Sequence, residues 1–179
     1  MSLNLLHDIS PGENLPQEIT VVVEINKGSK NKYELDKKTG LIRLDRVMKT
    51  SQDYPFDYGF IPQSHWYDGD PLDVVLLTTY PLIPGILVHA RPVAVMDMVD
   101  SGEGDAKIIA VPVDDPRFDE IQDLEDINNH TLKEIEHFFT TYKIIQNKIV
   151  TIDAIHNKAR AHEIINESLA LYKKEFQGS

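Results

Sequence analysis

The sequence predicts a mainly β fold of the α+β class, with a closed or sandwiched β core and two main helices packed outside it. Three observations carry that prediction. Short β-branched or alternating apolar runs recur between Ile19 and Val113. Turn residues such as Lys38-Thr39-Gly40 and Gly102-Glu103-Gly104 separate them. Beyond Val113 the apolar spacing lengthens from two to between three and four residues, the change from strand to helix period.

Taken in order, Ile19 to Ile25 is β-branched and reads as a strand. Lys32 to Leu35 and Leu41 to Val47 read as two more, hinged at Lys38-Thr39-Gly40. Tyr54 to Gly69 is rich in aromatics, Pro and Gly and reads as an ordered loop. Val74 to Thr79 is the next strand, followed by Ile86 to Val99, bent at Pro92, and Ala106 to Val113. Leu132, Ile135, Phe138, Phe139, Tyr142 and Ile145 then mark one face of a helix. Ala161, Ile164, Ile165, Leu169, Tyr172 and Phe176 mark a terminal one, with Asn157 as its N-cap. With no repeat, low-complexity segment or Gly/Ser-rich linker, residues 1–179 are expected to form a single domain.

The formal net charge is −11, and it is uneven. From Asp53 to Asp126 there are 16 acids, 13 of them Asp, against Arg91, Lys107 and Arg117, so the middle carries −13 and the flanks +2. Without a basic tract such a chain gains little counterion-release affinity, which argues against a nucleic-acid partner. No apolar run is long enough to span a bilayer, and Met1 to Ser10 lacks the basic start and apolar stretch of a signal peptide. There is no cysteine, which excludes disulfides, thiol catalysis and thiolate metal sites. A soluble cytoplasmic protein is expected.

The densest chemical signal is Asp68-Gly69-Asp70-Pro71-Leu72-Asp73. Three carboxylates this close repel one another unless water or cations neutralise them. Gly69 and Pro71 favour a tight turn that could aim all three inward. Hard oxygen ligands without nearby His or Cys suit Mg²⁺, Mn²⁺ or Ca²⁺ rather than zinc. An EF-hand loop begun at Asp68 fails on spacing, since Leu72, Asp73 and Thr79 fall where a ligand, the Gly and the closing Glu belong. A solvated acidic turn is the plainer alternative, but Val74-Val75-Leu76-Leu77 follows at once and ties the loop to the core. Asp97, Asp100 and Asp105 flank a second turn, and two acidic loops at strand ends could share a metal cluster that clamps phosphates. Lys32 and Glu34 share one strand face, Arg46 lies on the next strand, and Lys107, Tyr142 and Lys143 lie further on. Spacing alone leaves each of these cations a surface residue.

Asp68-Gly69-Asp70-Pro71-Leu72-Asp73-Val74 resembles the signature of the family I soluble inorganic pyrophosphatases of bacterial type. Val22-Val23-Glu24-Ile25, Lys32-Tyr33-Glu34-Leu35-Asp36, Leu44-Asp45-Arg46 and Tyr54-Pro55-Phe56-Asp57-Tyr58-Gly59-Phe60 resemble further family blocks. So do Tyr80-Pro81-Leu82, Arg91-Pro92-Val93, Gly104-Asp105-Ala106-Lys107 and His137-Phe138-Phe139 with Tyr142-Lys143. Order and spacing agree from about Leu15 to Lys143, with a weaker match in the terminal helix. The signature alone is moderately specific; the ordered set is highly so.

The resemblance implies a closed five-stranded OB-like β-barrel with two main α-helices outside, and Mg²⁺-dependent hydrolysis of inorganic pyrophosphate to two phosphates by a metal-activated water. It makes Asp70 the general base. Asp68, Asp73 and Asp105 become metal ligands, with Asp73 bridging two ions, Asp100 sharing a further ion and Glu24 helping to hold the metal that arrives with substrate. Lys32, Arg46, Tyr58, Lys107, Tyr142 and Lys143 would hold the phosphoryl groups, supported by Glu34 and Tyr54. Mn²⁺ or other divalent ions could replace Mg²⁺, and the assembly implied is a homo-oligomer, a hexamer.

Three positions depart from the family pattern: Asp57 stands where a neutral residue is expected, Ser101 where an acid is common, and Thr141 where some bacterial members have His. Asp57 could alter the local charge, and Thr141 bears on the oligomer contact. Two rivals carry less. An acidic Ca²⁺-storing barrel leaves the Lys, Arg and Tyr set unused, and an oligonucleotide-binding barrel conflicts with the −13 middle. No Gly-x-Ser-x-Gly, complete P-loop or His-Glu-x-x-His motif is present. Asp114 to Asp126, with seven acids, is assigned no role and reads as a solvated face.

Overall fold

A closed ring of five strands organises the chain in the computed structural model, which describes residues 3–100 and 102–178. The ring runs through β1 (Ile19–Ile25), β4 (Asp57–Phe60), β5 (Asp73–Leu76), β7 (Glu103–Pro112) and β6 (Leu87–Asp100), and β6 returns to β1. All neighbours are antiparallel except β5 and β7, which run parallel. The edge strand β8 (Val150–Asn157) extends the sheet beyond β6, while β2 (Asn31–Asp36) and β3 (Leu41–Val47) form a separate hairpin. The expected five-stranded, OB-like architecture is present, with a different membership from a simple count of apolar runs.

The largest difference is β4. Asp57–Phe60 lies inside the stretch expected to be a loop, yet all four of its residues are buried. Its local sequence is a poor strand former, with Pro55 and Pro62 on either side and Gly59 within. Pairing with β1 on one side and β5 on the other overrides that weakness. Gly59 is required by the approach of β1: a Cβ there would stand 2.0 Å from the Val22 carbonyl oxygen. β8 is the second element that the sequence reading does not include, although Val150, Ile152 and Ala154 alternate with polar residues. Its partner is the far half of β6, from Ala94 to Asp100.

The long strand β6 serves three partners in turn, and its pairing with β7 is irregular between Pro92 and Ala94. Pro92 has no N–H to donate, so the ladder is interrupted where the sequence places a bend. Because both faces of the ring are covered, successive residues of one strand enter different clusters. Val74, Leu76, Ile108 and Ala110 pack with Ile164 and Ile165 of α2 (Lys158–Tyr172). Val75 and Ile109 pack with Tyr54, Phe56, Phe138 and Phe139, the last two from α1 (Asn129–Thr141).

α1 ends four residues before the expected Ile145. A 3-10 turn over Ile144–Gln146 follows, Asn147 takes φ 56°, and Ile144 and Ile145 are exposed. α2 begins as expected, with the Asn157 side chain accepting from the Arg160 N–H. Phe176 lies beyond it in a wider π-type turn, half exposed. Between β7 and α1, Asp115 and Asp123 cap short 3-10 helices, whereas Asp114, Asp119, Glu120, Glu125 and Asp126 face solvent as anticipated.

The two departures from the family pattern that lie within the described residues are structural; Ser101 lies outside those residues. Thr141 Oγ1 donates to the His137 carbonyl and accepts from Gln52 Nε2 at 2.7 Å. Asp57 is fully buried. Its Oδ1 accepts from the Lys27 and Leu82 N–H groups at 2.9 and 3.0 Å, and Oδ2 accepts from the Thr78 hydroxyl. One carboxylate thus ties two loops to β4 beside Tyr58. Asparagine could keep both backbone donors on its oxygen while its NH₂ donates to Thr78. Asp57→Asn should therefore unfold within about 1 kcal/mol of the parent in urea, whereas Asp57→Ala, which orphans two N–H groups, should lose about 2–4 kcal/mol.

Candidate active site

One cavity of about 500 Å³ gathers side chains from all over the chain. Glu24 comes from β1, Lys32 and Glu34 from β2, and Asp68, Asp70 and Asp73 from the loop entering β5. Asp100 comes from the end of β6, Asp105 and Lys107 from β7, and Tyr142 and Lys143 follow α1, while Tyr54 and Tyr58 stand behind. Every site residue expected from the sequence lines this cavity except Arg46.

The parallel β5–β7 pairing sets the centre. Its register puts Asp73 beside Lys107, and Asp105, two residues earlier on β7, points the same way. The Lys107 ammonium lies 2.5 Å from Asp73 Oδ2 and 2.6 Å from Asp105 Oδ2. It is buried, with the Tyr58 ring centroid 5.8 Å away. Burial works against its charge, but the two carboxylates outweigh it and hold its pKa above the ordinary lysine value. Lys107 is therefore not the surface cation that spacing alone allowed.

The acids around it are electrostatically loaded. Glu24 is almost fully enclosed and accepts from the Leu35 N–H at 2.7 Å. Burial, then the charge of Asp73, pushes its pKa up to about 8. Burial raises Asp105 to about 6 despite Lys107, and it also raises Asp68 above the usual range. Tyr54 and Tyr58 are raised by burial above all, so both stay as neutral hydroxyl donors at physiological pH.

The β2–β3 hairpin forms the cationic wall. Lys32 pairs with Glu34 and lies 3.9 Å from Asp45, and burial followed by the nearby Arg46 charge lowers its pKa. Arg46 sits opposite Lys32 in the ladder and pairs with Asp45 at 2.5 Å, at the margin rather than in the lining. Arg43 lines the cavity instead, as does Lys37 from the hairpin turn. Lys37 reaches across to Asp70 Oδ1 at 2.5 Å and to the Gly69 carbonyl at 2.8 Å. Sequence reasoning missed both. Lys37 and Arg43 follow Lys32-Tyr33-Glu34 within one hairpin, but it is the ladder that sets Arg43 opposite Glu34 and the folded turn that brings Lys37 to Asp70. Gly40 in that turn (φ +73°) packs against Asn4, where a Cβ would come within 2.7 Å of its Cα.

An all-carboxylate donor set suits a hard divalent ion. Asp73 and Asp105 also stand close enough to share one cation, because they already share the Lys107 ammonium. Among the described residues no three acids are gathered tightly enough to chelate an ion as they stand.

The raised carboxyl groups make a pH prediction. Glu24 keeps a proton in the folded chain between its ordinary 4.5 and about 8, a range in which the unfolded chain has lost it. The folded state then binds more protons, so stability falls as pH rises through that window. In EDTA, the urea midpoint should be lower at pH 8.5 than at pH 5.5; an unchanged or higher midpoint would contradict the assignment.

Comparison with known proteins gives the family. A family model described as inorganic pyrophosphatase matches residues 21–173. The chain is 47% identical over 175 residues to the inorganic pyrophosphatase of Haloferax volcanii, covering 97% of this chain and 99% of that one. It is 48% identical over 166 residues to the soluble inorganic pyrophosphatase of Zea mays, covering 93% and 78%. The solved structure of the Thermus thermophilus inorganic pyrophosphatase superposes with a TM-score of 0.92 at 42% identity, covering 96% of this chain and 99% of that one. With its closed ring, its acidic cavity and these matches in accord, the chain belongs to the inorganic pyrophosphatase family of enzymes.

Proposed function

We propose that the protein hydrolyses inorganic pyrophosphate to two phosphates in an Mg²⁺-dependent reaction. One observation carries this reading: carboxylates, lysines and tyrosines, scattered from Glu24 to Lys143 in sequence, line one cavity. Asp68, Asp73, Asp105, Asp100 and Glu24 would hold the divalent ions. Such ions acidify water and offset the charge that develops on phosphate oxygens.

The chain's own groups do the rest. Lys32, Lys107, Lys143, Tyr58 and Tyr142, with Arg46 at the margin, donate to the phosphoryl oxygens and hold the scissile P–O bond in place. Glu34 orients Lys32, to which it is paired, and Tyr54 packs against Tyr58 with ring centroids 5.9 Å apart. Asp70 accepts a proton from the attacking water. It suits that role because it sits on the exposed side of the acidic loop, where water reaches it, and Lys37 steadies its carboxylate. As the bond breaks, the departing phosphate gains negative charge, which the ammonium and phenol donors stabilise more strongly than in the ground state.

Asp70→Asn should lower turnover by about 10²–10⁴-fold in a phosphate-release assay while leaving circular dichroism and Mn²⁺ binding intact. Near-normal release would remove Asp70 from the base role.

A cytoplasmic hexamer belongs to the same reading. No helix among the described residues is long and apolar enough to cross a membrane. Tyr80 and Ile83 in the β5–β6 connection, Leu87 at the start of β6, and Ile149 are each at least half exposed, which suits burial between subunits. Light scattering should give six times the chain mass of 20.4 kDa, and a monomer mass would refute the assembly.

A further inference from the structure

In the cavity, the ammonium groups are engaged by acids. Lys107 bridges Asp73 and Asp105, Lys143 pairs with Asp100, Lys32 with Glu34 and Lys37 with Asp70. Lys107 is the extreme case, because its side chain is only 6% exposed and both its partners are also mostly buried. An ammonium has three donors. With two directed at carboxylates and the side chain all but buried, Lys107 offers a phosphate at most its third donor unless it leaves them.

Two mostly buried carboxylates cannot be left without a cation, since an unpaired charge in that setting costs several kcal/mol. Where the pair stays ionised, Lys107 therefore leaves at least cost when another cation takes its place between Asp73 and Asp105. A divalent ion does so with one charge more than the ammonium, enough to balance both carboxylates. We propose that Lys107 is the resident counter-cation of the Asp73–Asp105 pair, that a divalent ion taken up by the pair displaces it, and that the released ammonium is the one that binds phosphate. This rests on the reading that Asp73 and Asp105 hold the ion.

Two consequences follow from linkage. The Lys107-paired arrangement competes with the ion, so apparent metal affinity is reduced by the fraction of molecules in which the pair is free to accept it. Metal loading also arms Lys107 for anion capture, because its displacement frees the two donors that the carboxylates hold. The Asp100–Lys143 pair is a second ion pair in the same cavity, between the end of β6 and the residues that follow α1.

The test is Mn²⁺ titration calorimetry on the full chain, in phosphate-free buffer, for the parent, Lys107→Met and Asp73→Asn. Lys107→Met should bind Mn²⁺ on the order of tenfold more tightly, because its competitor is gone, while Asp73→Asn binds more weakly. If Asp73→Asn weakens binding but Lys107→Met leaves it unchanged or weaker, the exchange is wrong and the metal reading stands. If Asp73→Asn binds as the parent does, the metal reading itself fails, and the exchange with it. A second measurement needs no variant. Reductive methylation of the parent, read by peptide mass spectrometry, should label Lys107 several-fold more in Mg²⁺ than in EDTA; equal labelling would overturn the proposal even if Lys107→Met does not fold.

Discussion

A single buried ammonium between two carboxylates is the constraint around which this molecule is arranged. Lys107, Asp73 and Asp105 can meet only because β5 and β7 lie side by side and parallel, with Asp73 in register with Lys107. That pairing also belongs to the ring, which is completed when β6 reaches back to β1. The apolar residues that alternate with the charged ones, Val74 with Asp73 and Ile108 with Lys107, fill the core behind. Packing and charge are thus set by the same register, and a slip of one residue would exchange them.

The rest of the site extends this arrangement outward. Glu24 is drawn into the wall by the Leu35 N–H, which also joins β1 to the hairpin. The hairpin brings Lys32, Lys37 and Arg43 over the acidic loop, so that cations from one sheet face anions from another. Burial pushes Glu24 and Asp105 towards their neutral forms, whereas Lys107 stays charged because its two partners overcome the same burial. An acidic chain can thereby serve an anionic substrate. The −13 of the middle segment includes the acids at the centre of the cavity, and the cationic hairpin belongs to the +2 flanks.

The legibility of the fold varied by element for identifiable reasons. β1 was readable because its β-branched run needs no partner to be recognised. β4 was not, because four residues holding an Asp and a Gly owe their strand form to neighbours on both sides. Asp57 looked like a perturbation of the site and proved to be an internal clamp, a role visible only once Lys27, Thr78 and Leu82 surround it. The end of α1 is hidden in the sequence because Ile144 and Ile145 continue the apolar spacing while the chain turns to bring Tyr142 and Lys143 to the cavity.

Taken alone, the sequence determined the mainly β class, the two helices, the acidic loop and, through ordered blocks of residues, the family. These are local or linear properties: period, turn chemistry, residue type and order along the chain. Tertiary structure alone decided that the ring closes through β4, that Lys107 is buried between Asp73 and Asp105, that Lys37 and Arg43 join the lining, and that Arg46 stands at its margin. The physical reason is that strand register and side-chain burial depend on groups far apart in sequence. A lysine's position along the chain does not reveal whether water or two carboxylates will surround it.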